Sequence, residues 1–108
     1  MQYNDIITKA ATVVKSFSTR DGRGELQFHN LAFTALEVKA TATIARHYPL
    51  SDEENFCITV ASWFHGLGYW EDAKEPEEIS AMRSSEFLKS YGATEKMVRT
   101  TKACILVK

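Results

Sequence analysis

Three short segments set chemically competent side chains among apolar neighbours. They are Phe28-His29-Asn30-Leu31-Ala32-Phe33-Thr34, Ala61-Ser62-Trp63-Phe64-His65-Gly66-Leu67-Gly68-Tyr69 and Glu75-Pro76-Glu77-Glu78-Ile79-Ser80-Ala81. The imidazoles of His29 and His65 exchange protons near neutral pH and ligate divalent metals. Glu77 and Glu78 add carboxylates, the other common donor to hard cations. Each segment also has a plain structural reading. A histidine beside an apolar face usually satisfies a core or capping position, and two glutamates in a first helical turn complement the helix dipole. Other chemistries drop out. Gly22-Arg23-Gly24 is too short for a phosphate loop and precedes no strand. Cys57 and Cys104 sit in apolar runs without metal-like spacing, so both are expected as buried, reduced thiols with no catalytic partner.

The elements that must position these groups are helical. The chain has 108 residues, 44% apolar and 25% charged, which fits one soluble domain over residues 1–108. Thirteen basic against fourteen acidic side chains, with no basic cluster, leave no footprint for nucleic acid. No run approaches the ~18 apolar residues of a membrane span, and the N-terminus lacks a signal-peptide pattern, so a cytoplasmic location is expected.

Ile6, Ile7, Ala10, Val13, Val14 and Phe17 recur at helical spacing after a start near Asn4 or Asp5. A turn-rich loop is expected over Ser18 to Glu25. A second helix runs from about Asn30 to His47, with Leu31, Ala35, Val38, Ala42 and Ala45 on one stripe and Pro49 beyond its end. Ser51-Asp52-Glu53-Glu54 reads as a capping box. The helix it opens carries Phe56, Cys57, Ile58, Val60, Ala61, Trp63, Phe64 and Leu67, apolar almost all round, as a central helix should be. A fourth helix starts at Pro76 and closes at Gly92. Thr94 caps a fifth, with Met97, Val98, Thr101, Cys104 and Ile105 facing inward. No alternating strand pattern competes. The expectation is an all-α, compact bundle of about five helices.

The order and spacing of the three segments resemble the HD-domain metal-dependent phosphohydrolases. The likeness is to the small bacterial branch with Tyr-His-Asn-x-x-His-Thr, Ala-Ala-Trp-Phe-His-Asp-x-Gly-Tyr and His-Glu-Glu-x-Ser segments. Cyclic-nucleotide phosphodiesterases share a related arrangement. The likeness spans about residues 5 to 108 and is carried by Trp63-Phe64-His65, Gly68-Tyr69 and Glu77-Glu78-Ile79-Ser80-Ala81. It implies an HD-like fold acting on phosphoesters of the nucleotide or cyclic-nucleotide class. It also implies divalent Mn, Fe, Zn or Mg held by a histidine, a His-Asp pair and a distant aspartate. In such a site the cations activate a water and neutralise phosphoryl charge. The histidine aligned with His29 would protonate the leaving oxygen.

This sequence departs from that pattern at the ligands. Phe33 stands at the first metal histidine, Gly66 at the aspartate of the pair, and Pro76 at the histidine before the two glutamates. The chain ends after Ile105-Leu106-Val107-Lys108, before the last aspartate. A C-terminal truncation is therefore expected, with an open Ile105 face that favours homo-oligomers. Only His65 remains of the ligands, and one imidazole does not hold a cation. No cofactor is expected.

Three functions follow. The first is a metal-free, hydrolytically inactive scaffold kept as a binding or regulatory module for a small molecule or nucleotide. The second is a metal-free pocket for an apolar molecule, lined by Asn30, Phe33, Trp63, Gly66, Tyr69, Glu77 and Glu78, with His29 or His65 as base. The third is an active hydrolase with Glu77, Glu78 or His47 as substitute ligands. Natural loss of the ligands and deliberate replacement both remain open.

Overall fold

A computed structural model describes residues 2–18, 38–41, 43, 47, 49–65, 67 and 75–106. Four helices are complete among them: α1 (Tyr3–Ser18), α2 (Asp52–Phe64), α3 (Pro76–Ser90) and α4 (Glu95–Leu106). Residues 38–41 and 43 are also helical, where the second helix is expected, and the Thr43 hydroxyl donates to the Lys39 carbonyl at 3.0 Å. The described residues contain no strand, and the fold is an all-α bundle. The rest of the expected second helix and most of the Ser18 to Glu25 loop lie outside the described residues. Ser18 itself is the last residue of α1.

The helices begin and end where local chemistry satisfies their free backbone groups. At α1 the Ile6 amide donates to the Gln2 carbonyl at 3.1 Å, so the helix opens ahead of Asn4 and Asp5. Asp5 then lies in the first turn and complements the dipole instead of capping. At α2 the expected capping box is present. The Glu54 amide donates to Ser51 Oγ at 3.1 Å, and the Ser51 amide donates to Glu54 Oε1 at 3.0 Å. Pro76 occupies the first turn of α3, where its missing N–H costs nothing. The Met97 amide donates to Thr94 Oγ1 at 3.2 Å and caps α4 as expected.

The end of α3 has a particular geometry. Ala93 N–H reaches back to the Leu88 carbonyl and Gly92 N–H to the Lys89 carbonyl, both at 3.1 Å. This paired arrangement requires a left-handed residue, and Gly92 supplies it at φ +78°.

Burial follows the apolar stripes. Ile6, Ala10 and Val14 of α1 are buried, as are Phe56, Cys57, Val60, Ala61 and Phe64 of α2. Helix α2 packs against α1, α3 and α4, and α3 also packs against α4, so α2 is the central element. Aromatic contacts join the layers. Tyr3 stacks on Phe56 with centroids 4.7 Å apart, Phe64 meets Phe87 at 5.4 Å, and Phe87 meets Tyr91 at 5.0 Å. Lys9 Nζ lies 5.3 Å from the Tyr91 ring centre, linking α1 to the end of α3.

Two expectations about α4 need correction. Ile105 is only 1% exposed, so the face expected to lie open is covered at that residue. Cys104, expected inside, is exposed. Thr101 and Ile105 mark the centre of the buried stripe, and Cys104 falls to its flank beside an open groove.

Two measurements check these ends. A Cβ on Gly92 would meet no atom within 4 Å, so Gly92→Ala suffers only the left-handed backbone penalty. It should lower unfolding stability by about 1–2 kcal/mol in urea titrations, and Gly92→Asn should lose less. Glu54 is held below the ordinary carboxylate range, first by the Ser51 amide and then by the Ser51 hydroxyl. Its contribution to folding is therefore complete above the unfolded value of about 4.3. That contribution is lost as pH falls through the lower folded value. The urea midpoint should fall more steeply with acid in the unmodified protein than in Glu54→Gln.

Candidate functional site

His65 ends α2. Its backbone N–H donates to the Ala61 carbonyl at 2.9 Å, and its φ and ψ of -51° and -44° remain helical. Its own carbonyl would be a loose helix-terminal acceptor. The fully buried Ser80 fills that role, donating its hydroxyl at 3.0 Å. This hydrogen bond ties the Trp63-Phe64-His65 segment to the Glu77-Glu78-Ile79-Ser80-Ala81 segment. Two of the three segments singled out in the sequence are thus in direct contact.

The His65 residue lines an open groove of about 260 Å³, together with Thr41, Ile58, Ala61, Ser62 and Cys104. Four of these residues share one α2 stripe, since 58, 61, 62 and 65 follow helical spacing. Thr41 comes from the helical stretch before α2 and Cys104 from α4. The Ser62 hydroxyl donates to the Ile58 carbonyl at 3.0 Å, so its oxygen can still accept. The groove therefore offers an imidazole, two hydroxyls and a thiol over an Ile–Ala floor.

Other expected site residues stand elsewhere. Trp63 is half-buried and packs against the hydrophobic core instead of lining this groove. Its position on α2, about 100° round from Ser62, turns it to a different face. Glu77 is half-buried and Glu78 exposed in the first turn of α3, where both complement the dipole, and neither lines the groove. His29, Asn30, Phe33, Gly66 and Tyr69 lie outside the described residues. Thr41, Ile58, Ala61, Ser62 and Cys104 were not foreseen as lining. The 58/61/62/65 spacing was the available signal, masked by the general apolarity of α2.

A divalent cation does not fit the described donors. Among the described residues, no three His, Cys, Asp or Glu side chains come together as a metal site requires. His47, considered as a substitute ligand, is an exposed turn residue. Scanning the chain against known protein families, and comparing it with characterised proteins and solved structures, finds no match.

The two thiols are protonated at neutral pH for related reasons. Cys104 lines the groove wall, and partial desolvation there raises its pKa although the residue as a whole is exposed. Cys57 is buried and donates weakly to the Met97 carbonyl at 3.6 Å. Burial raises its pKa most, with Glu53, Cys104 and Glu54 adding smaller raises. The buried Thr101 hydroxyl pulls in the opposite direction, although its oxygen has no partner within full hydrogen-bond geometry. Neither environment generates the thiolate a nucleophile needs. A disulfide-exchange reagent near neutral pH should modify Cys104 alone in the native protein, more slowly than a free thiol. Cys57 should react only on unfolding. Because its folded pKa is raised, stability should decline as pH climbs through the ordinary cysteine range, and Cys57→Ala should flatten that decline.

Proposed function

We propose that this chain is an HD-type helical scaffold acting as a binding module, whose His65 groove takes a small organic ligand without a divalent metal. The observation carrying this reading is the groove itself. His65, the one ligand position of the resemblance that keeps its residue, lies among Ser62, Thr41 and Cys104, and among the described residues no carboxylate lines the groove. In a metal-dependent phosphohydrolase the same imidazole would need carboxylate and imidazole neighbours around a cation. Gly66 and Pro76 supply no donor side chain, and Phe33 supplies only a ring.

The chemistry left to His65 is that of a hydrogen-bonding imidazole. Ser62 and Thr41 orient polar parts of a ligand, while Ile58 and Ala61 receive an apolar part. This mixture suits a small ligand of mixed polarity, as binding clefts generally do. It narrows the earlier expectation of a purely apolar ligand.

The test combines metal content with ligand mapping. Protein purified without chelator should carry far less than one transition metal per chain. It should not hydrolyse bis-p-nitrophenyl phosphate or cyclic nucleotides with added Mn. Fragment titrations followed by NMR should shift Ser62, His65 and Cys104 together, and His65→Ala should remove those shifts. Near-stoichiometric metal, Mn-dependent turnover, or a fragment set that leaves the groove unshifted would each overturn the proposal.

A further inference from the structure

We draw no further inference here: the strongest candidate, the open cleft of about 540 Å³ between the first turns of α1 and α2, is walled by water-exposed Gln2, Asn4 and Asp52, and among the described residues no buried, unpartnered polar group lines it to point to a ligand.

Discussion

The constraint on which the bundle depends is that α2 is apolar around most of its circumference and must be enclosed. A helix with one apolar stripe needs one neighbour, but α2 buries Phe56, Cys57, Val60, Ala61 and Phe64 in several directions. Among the described residues, three helices pack on it, and they must approach closely enough to exclude water. The rest of the architecture follows from how each neighbour meets that demand. Helix α1 uses a narrow stripe of Ile6, Ala10 and Val14, while α4 brings Met97, Val98, Thr101 and Ile105.

Helix α3 meets the demand differently. Its buried face is small and hydroxylated: Ser80, Ala81, Ser84 and Ser85 lie inside, with Phe87 and Leu88 further along. Small side chains let two helix backbones approach, but buried hydroxyls are costly without partners. Ser84 solves this locally by donating to the Ala81 carbonyl at 2.8 Å. Ser80 solves it across the bundle by donating to the His65 carbonyl. The same contact that satisfies a buried serine thus fixes the end of α2 and the groove beside it. Thr101 is the exception, a buried hydroxyl without a partner in full geometry.

Much of this was legible in the sequence because local chemistry encodes it. Ser51 to Glu54, Pro76, Gly92 and Thr94 announce helix ends through backbone satisfaction, and all four behave as their residue types require. The centrality of α2 was equally legible from its apolarity. That same apolarity hid the groove, because periodicity separates the faces of a helix only when they differ in polarity. Hence Ser62, which lines the groove, was not foreseen there. Cys104 was misjudged for a related reason. A stripe read from sequence has no edges, and the position of its flank depends on where neighbouring helices stop.

The faces of α2 also explain how one short helix can serve two clefts. Residues 52, 55, 56 and 59 line the cleft toward α1, while 58, 61, 62 and 65 line the groove toward α4. Both sets follow the i, i+3, i+4, i+7 pattern, offset by six residues, which places them about 120° apart around the helix. Between them run Cys57, Val60 and Phe64, directed into the core. A ligand in either cleft would therefore press on the same packed axis from a different side. Because three of the described helices pack on that axis, it has little freedom to rotate in response. The arrangement gives each cleft its own set of residues on a rigid shared axis, so that a change in one lining need not alter the other.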